Sequence, residues 1–324
     1  MADIAAFANR LRKNLRHWSK WARRNQISCY RLYDRDVPEF PFVLDLYGQQ
    51  AHLQEVETGW QIAEEEYREW LNAVVVACAD VLQLPEGAIH LKQRRRQKGL
   101  DQYEKTGISG EDIVVEEGGL KFIVNLVQYL DVGLFLDHRN TRSMVRQEAA
   151  GKRFLNLFAY TGSFSVYAAD GGAVSSVTVD MSNTYQAWTQ RNLAMNGFSG
   201  AEHQLVRADV FRYLEEVAVA GQQFDLIVMD PPTFSNSAKM QGVLDVQRDH
   251  VWLIDQCLSV LSKNGVLYFS NNLRSFLLDE RLPERCRIEE ISSRTIPEDF
   301  RNKKIHRCWK ISQDRKSTRL NSSH

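Results

Sequence analysis

The sequence predicts an α/β protein in which a mostly parallel, doubly wound sheet follows a smaller α+β accessory domain. Three observations carry this. Arg153–Ser165, RFLNLFAYTGSFS, runs from an apolar stretch through a Tyr-Thr-Gly turn into an amphipathic segment, as a buried strand, a tight turn and a helix would. After it, apolar runs and helical-period stretches alternate up to residue 270, the spacing of parallel strands with helices on both faces. Before it, residues 27–126 read mainly at a period of two, as short strands with one helix among them.

A chain of 324 residues holds two domains comfortably, and its 44% hydrophobic and 25% charged content is that of an ordinary folded protein. Lys+Arg and Asp+Glu balance at 41 each, so the overall charge says nothing about partners. The distribution says more: the first 35 residues and the stretch 92–98 are strongly basic. No apolar stretch approaches the roughly 20 residues that cross a bilayer, and no signal-peptide pattern opens the chain. A cytoplasmic protein without a membrane partner is therefore expected. Cys29, Cys78, Cys257, Cys286 and Cys308 stand singly, with no C-x-x-C and no nearby His pair, so reduced, buried thiols and no metal site are expected.

In residues 1–25, Ile4, Phe7, Leu11, Leu15, Trp18 and Trp21 recur at helical spacing among Arg10, Arg12, Lys13, Arg16, Lys20, Arg23 and Arg24. This is a basic amphipathic helix. Its cations are either a solvated face or, with Arg12 and Arg16 among them, a phosphate-contacting surface. Residues 26–130 form the accessory domain: strands in ISCYRLYDRD, FVLDLYG and AHLQEVE, a helix over Glu64–Leu84 ended by Pro85-Glu86-Gly87, then strands around Ile89–Lys92 and Ile113–Leu126 that complete one small sheet. Between the last two lie Lys92, Arg94, Arg95, Arg96 and Lys98, a second basic cluster. Two such clusters in one accessory domain favour nucleic-acid contact over a solvated face.

The second domain spans residues 131–312. A helix in 131–149 is capped by Asp137 or Asn140, and the opening stretch follows it. Then come strand Val174–Val179 closed by Asp180, helix Tyr185–Met195, strand Gln204–Arg207 closed by Asp209, and helix Phe211–Val219. Strand Phe224–Met229 is closed by Asp230-Pro231-Pro232, and helix Val246–Leu261 leads to strand Gly265–Ser270. Arg287–Ser292 and Ile305–Ile311 form a closing pair. Residues 315–324, ending in KSTRLNSSH, break every pattern before them; they resemble a read-through of cloning sequence and are expected to be a non-native tail.

Three acids thus stand at the ends of successive strands, and in a doubly wound sheet such positions share one crevice. Asp180 is placed to accept from ribose hydroxyls and Asp209 from an adenine amino group. Each could instead cap a helix, but three in register with a glycine turn read as an adenosine-binding row. The turn at Gly162 has a single glycine and so fails the G-x-G-x-x-G pattern of dinucleotide binding. A dinucleotide needs close backbone approach to its pyrophosphate, whereas a nucleoside without one does not. Asp230-Pro231-Pro232-Thr233-Phe234 discriminates further. Consecutive prolines remove two donors and stiffen the chain, and an acid, two prolines and an aromatic at the fourth strand are the pattern of adenosylmethionine-dependent methyltransferases acting on bases. Phe234 can stack on an extruded base.

Together NLFAYTGSFS, GLFLDHR, VDMS, RADVF and DPPTFSNS resemble the guanine-N7 methyltransferase half of the bifunctional large-subunit ribosomal RNA methyltransferase K/L family, over essentially all of residues 1–311. The resemblance implies a Rossmann-like methyltransferase domain behind a strand-rich accessory domain, S-adenosylmethionine as cofactor, and large-subunit (23S) ribosomal RNA as partner. It implies cofactor binding by Asp137, Asn156, Phe158, Tyr160, Thr161, Gly162, Asp180, Met181, Asp209 and Val210. Asp230, Pro231, Pro232 and Phe234 would act on the target base, and Arg94, Arg95, Arg96, Lys98, Arg12 and Arg16 on RNA. The guanine-N2 methyltransferase half of that family is absent, which implies a fragment or a split gene whose partner is the missing half. N7 of guanine carries a lone pair and no proton, so the implied transfer needs no general base and no covalent intermediate. Two alternatives stay open: a cytosine-C5 methyltransferase of similar build, which needs a thiolate and would have to use Cys257, and a non-catalytic RNA-binding or ribosome-assembly factor.

Overall fold

The computed structural model describes residues 3–59, 63–93, 110–129, 131–235 and 243–314. The chain divides into two compact units, Met1–Leu136 with Glu298–Asn302, and Asp137–Pro297 with Lys303–His324. The basic cluster of Arg94, Arg95, Arg96 and Lys98 and the tail at 315–324 lie outside the described residues.

The first unit opens with helix α1 (Ile4–Arg24), whose first turn is capped by Asp3 accepting from the Ala5 N–H at 2.9 Å. Its apolar stripe is buried: Phe7 stacks on Phe40 at 5.0 Å and meets Tyr33 edge-on at 5.1 Å. The opposite face leaves Arg12, Lys13, Arg16, Lys20, Arg23 and Arg24 exposed. Strands β1 (Cys29–Asp34), β2 (Phe42–Tyr47) and β3 (Gln50–Glu55) form an antiparallel meander. Helix α2 (Glu64–Leu82) then crosses over to β4 (Ile89–Gln93), which pairs parallel to β3. Strands β5 (Ile113–Glu117) and β6 (Leu120–Val124) do not extend this sheet, contrary to the sequence expectation. Among the described residues they pair with each other alone, through the Gly118-Gly119 turn, whose φ values of 61° and 82° favour glycine. The hairpin is joined to the residue before β1, Ser28, whose N–H donates to the Glu116 carbonyl at 2.8 Å and whose Oγ accepts from the Glu116 N–H at 2.7 Å. Residues 298–302, which sequence spacing assigns to the second domain, also return here. Asp299 accepts from the Arg31 N–H at 2.8 Å, and Phe300 lies 4.2 Å beneath the Arg31 guanidinium.

The second unit begins with α3 (Arg139–Glu148). Neither Asp137 nor Asn140 caps it: the Asp137 carboxylate is turned to His306, and the Asn140 amide donates to the carbonyls of Arg294 and Ile296. There follow β7 (Arg153–Leu157), α4 (Ser163–Asp170), β8 (Ser175–Val179), α5 (Asn183–Met195), β9 (His203–Val206), α6 (Val210–Val219) and β10 (Phe224–Met229). A short antiparallel pair, β11 (Phe234–Ser235) and β12 (Leu244–Asp245), leads into α7 (Val246–Ser259) and β13 (Leu261–Asn271), and β14 (Cys286–Glu290), α8 (Ser292–Thr295) and β15 (Arg307–Gln313) close the unit.

The sheet runs in the order β14-β15-β13-β10-β7-β8-β9. Strands β13, β10, β7, β8 and β9 are parallel, and β15 and β14 are added antiparallel. This is the doubly wound, mostly parallel Rossmann-like sheet expected of the sequence. Strand order reverses between β7 and β10, so the loops leaving their carboxyl ends diverge and open a crevice there. The two strands are apolar because they are covered on both sides. Leu155, Leu157, Ile227 and Met229 face α6 and α7, while Phe154, Leu226 and Val228 pack with Val145, Phe164 and Ala168 of α3 and α4.

Leu155, fully buried at the centre of this sheet, should cost roughly 2–5 kcal/mol on truncation to alanine. Urea titration of Leu155→Ala would show this as a lower midpoint with an unchanged slope.

Candidate active site

The loop after β7 is rigid and strained in a specific way. Phe158 and Tyr160 adopt φ of 56° and 52°, in the left-handed region that bulky residues avoid, and Gly162 follows at 72°. A side chain at Gly162 would run into Thr189 of α5. The loop's carbonyls are held from that helix: Thr189 Oγ1 donates to the Tyr160 carbonyl at 3.2 Å and the Asn192 amide to that of Thr161 at 2.9 Å. The Tyr160 ring meets Tyr185 edge-on at 4.6 Å and lies 6.4 Å from the Trp188 ring, and it stays partly exposed.

Asp180, at the end of β8, reaches across to the same loop. Its carboxylate accepts from the Tyr160 N–H at 2.9 Å and the Ser182 N–H at 2.8 Å. Burial raises its pKa to about 6, against the lowering effect of the backbone donors Ser182, Tyr160 and Met181. Met181 itself is half-buried beside it. Asp209, at the end of β9, does what a strand-end acid commonly does and caps α6, accepting from the Phe211 N–H at 2.8 Å.

Across the switch point, Asp230 ends β10. Its Oδ1 accepts from Ser270 Oγ, on β13, at 2.6 Å, and its Oδ2 lies 3.4 Å from Nε2 of His138. His138 is buried and stacks face to face on His306, with ring centroids 4.3 Å apart and planes 9° off parallel. His306 is in turn held at both nitrogens: Nδ1 lies 2.9 Å from Asp137 Oδ2, and Nε2 lies 2.9 Å from Thr295 Oγ1. Burial lowers the His138 pKa despite the nearby Asp230 carboxylate, so the ring is neutral. Asp137, His138 and His306 do bring one ligand-type atom each within 4.8 Å of one another, but His306 is already fully engaged by protein partners. Beyond Asp230, Pro231 is buried, Pro232 half-buried, and Phe234 on β11 is 50% exposed.

Three of the residues expected at the cofactor have side chains engaged elsewhere. Asn156 is buried and donates to Ser165 Oγ at 3.0 Å, which pairs with Thr178 Oγ1 at 2.7 Å, a polar staple between β7, α4 and β8. The Val210 side chain packs into the core, leaving only its backbone for a ligand. Asp137 is committed to His306. Thr161 is likewise buried, with its carbonyl held by Asn192. Conversely, Ser270, His138 and His306 gather around Asp230 without having been singled out. In the sequence Ser270 reads only as the end of a strand, and His138 and His306 are separated by most of the domain, so no local spacing joins them.

Residues 67–296 match the family described as S-adenosylmethionine-dependent methyltransferase. The chain belongs to this family. Ribosomal RNA large subunit methyltransferase K of Neisseria meningitidis serogroup B is 60% identical to it over 311 residues, 96% of this chain and 88% of that one. The methyltransferase K/L of Pseudomonas fluorescens is 50% identical over 94% of this chain, and that of Methylococcus capsulatus is 50% identical over 94%. This chain spans 40% and 42% of those two proteins, less than half the length of either. Among solved structures, a methyltransferase complexed with SAH superposes with a TM-score of 0.76 at 24% identity, over 96% of this chain and 82% of the other. A SAM-dependent methyltransferase from Streptococcus mutans superposes at 0.73 and 23% identity, over 96% and 82%. These likenesses bear on the fold.

The cofactor of this methyltransferase is S-adenosylmethionine, and the residues at the switch point fit it. Burial is what raises the Asp180 pKa, and beyond its backbone donors the carboxylate has lone pairs left to accept further hydrogen bonds. The vicinal hydroxyls of a ribose would suit them. The exposed part of the Tyr160 ring offers an apolar wall beside it.

Because Asp180 is protonated up to about pH 6 when folded and only to about its ordinary 3.8 when unfolded, the native state binds more protons between those values. Folding stability should therefore fall as pH rises from about 4 to about 6. Asp180→Asn should remove this part of the pH dependence, as measured by denaturant titrations across that range.

Proposed function

We propose that the chain methylates N7 of guanine in large-subunit ribosomal RNA by direct in-line transfer, with Asp230 as the acid that faces the base. The observation that carries the reading is Asp230 at the switch point, held by Ser270, with His138 Nε2 3.4 Å away, and followed by Pro231-Pro232-Thr233-Phe234, in a chain whose five cysteines are all buried. S-adenosylmethionine supplies an electrophilic methyl group on a sulfonium, which the N7 lone pair takes without loss of a proton, the positive charge passing from sulfur to the purine. Asp180 would hold the ribose. Phe158, Tyr160, Thr161 and Gly162 would line the methionine end, with Met181 and the free lone pairs of Asp209 at the adenine. Asp230 orients the base and offsets the charge that develops on it. Phe234, half exposed at the mouth, would stack on the base once it leaves its helix.

A cytosine-C5 reaction would need a reachable thiolate. Cys257 is fully buried in the core against Met229, at 3.8 Å between sulfurs, and burial pushes its thiol pKa far above the ordinary value. The choice of ribosomal RNA rests on the likeness to the 60% identical ribosomal RNA large subunit methyltransferase K. The exposed cations of α1, Arg12 and Arg16 among them, suit phosphate contact, and Arg94, Arg95, Arg96 and Lys98 are proposed to do the same.

Incubation with large-subunit ribosomal RNA and labelled S-adenosylmethionine, followed by mass spectrometry of the nucleosides, should give 7-methylguanosine. Label in 5-methylcytidine, or none in the RNA, would overturn the proposal. Asp230→Ala should abolish transfer while cofactor binding by calorimetry survives.

A further inference from the structure

A stacked pair of histidines, His138 and His306, lies beside Asp230 and is given no role in the reading above. Its geometry is nonetheless that of a clamp. The Asp230 carboxylate stands between two elements: Ser270 Oγ donates to one oxygen at 2.6 Å, and His138 Nε2 faces the other at 3.4 Å. The same Nε2 lies 3.9 Å from Asp137 Oδ2, so two carboxylate oxygens surround it. A lone pair there would be repelled by both. The proton of the neutral ring therefore sits on Nε2, and Nδ1 carries the lone pair. Nδ1 is buried and has no hydrogen-bond partner among the described residues. An unmet buried acceptor is destabilising, and phenylalanine would fill the same slot without that cost. The ring is fixed from behind as well: His306 lies flat on it at 4.3 Å, pinned by Asp137 on one nitrogen and Thr295 on the other, and Phe164 closes its edge at 5.8 Å.

We infer that His138 is a positioning residue, whose Nε2–H, held in place by the Asp137–His306–Thr295 clamp, fixes the Asp230 carboxylate in the orientation used for methyl transfer. The inference rests on the reading of Asp230 as the base-facing acid. It assigns Asp137 to the clamp and not to the cofactor. It also gives a reason for two histidines buried beside carboxylates where apolar side chains would pack: the site needs a donor with one fixed direction, and a free hydroxyl such as that of Ser270 can rotate. With Ser270 on Oδ1 and His138 on Oδ2, the carboxylate plane is set from two sides, and each oxygen keeps acceptor capacity for the base.

Two variants of the full chain separate donor from packing. His138→Phe keeps a ring on His306 and loses the donor; His138→Gln loses the ring and keeps an N–H at the reach of Nε2. With ribosomal RNA as substrate, His138→Phe should lower kcat roughly 10- to 100-fold, the rate equivalent of a hydrogen bond to a charged group. KM for RNA and the calorimetric affinity for S-adenosylmethionine should stay unchanged, and His138→Gln should recover most of the rate. Full activity in His138→Phe, or a Gln variant as slow as the Phe one at native melting temperature, overturns the clamp. A readout independent of activity and of these variants is the nitrogen-15 spectrum of the wild-type protein. His138 Nε2 should appear as the protonated nitrogen, with its proton resonance moving upfield in Asp230→Ala; an unmoved resonance also overturns the inference. Asp230→Asn, assayed in parallel, keeps the two readings apart. Full activity there removes Asp230 from the reaction, whereas a dead Asp230→Asn beside a fully active His138→Phe removes only the clamp.

Discussion

Everything at the candidate site depends on the parallel pairing of β7 with β8 on one side and β10 on the other. The register sets Leu157 opposite Val179 and Met229, so that all three strands end at one level. Their apolar residues are buried on both faces, which leaves the strands no freedom to slip: a shift of one residue would turn every packed side chain to the other layer. The polar groups that follow these strands, the Phe158–Gly162 turn, Asp180 and Asp230, are therefore delivered to the same rim by packing that has nothing to do with chemistry.

At that rim the acids differ through their surroundings. Asp180 is tied to backbone N–H groups, one of them from the strained loop itself, so it both shapes the wall and keeps capacity for hydroxyl donors. Asp209 is a helix cap with lone pairs to spare. Among the described residues Asp230 meets side chains, from β13 and from the segment before α3. An acid held by backbone is a fixture. One held by a serine and a histidine can be tuned by the elements that carry them, which suits the group set against a developing charge.

Much of this fold is legible in the sequence because the cues are local. Apolar runs such as RFLNL and FDLIVM can only be strands covered on both sides, and Asp180, Asp209 and Asp230 each fall just beyond one. What escapes is whatever depends on distant pairing. The β5–β6 hairpin has the pattern of strands in a larger sheet, and nothing local in that pattern says that it stays apart from β1–β4. Residues 298–302 carry no composition cue for their return to the first unit; a buried arginine backbone, that of Arg31, draws Asp299 there. Asp137 stands where a helix cap or a cofactor contact is expected, and the partner that claims it, His306, is 169 positions away. Asn156 reads as a polar residue near a ligand loop, yet it satisfies Ser165 in the core.

The central claim is that one crevice at the β7–β10 switch point holds the cofactor, with Asp180 on the nucleoside side and Asp230 on the reacting side. A crystal structure of the protein with S-adenosylhomocysteine tests this most directly. The account predicts ribose hydroxyls within hydrogen-bond distance of Asp180 and the sulfur on the Asp230 side of the Tyr160–Gly162 turn. Ligand seated instead in the hollow at the amino ends of the strands, among Arg153, Ser176 and Gln204, or with its adenosine against Asp230, would contradict it.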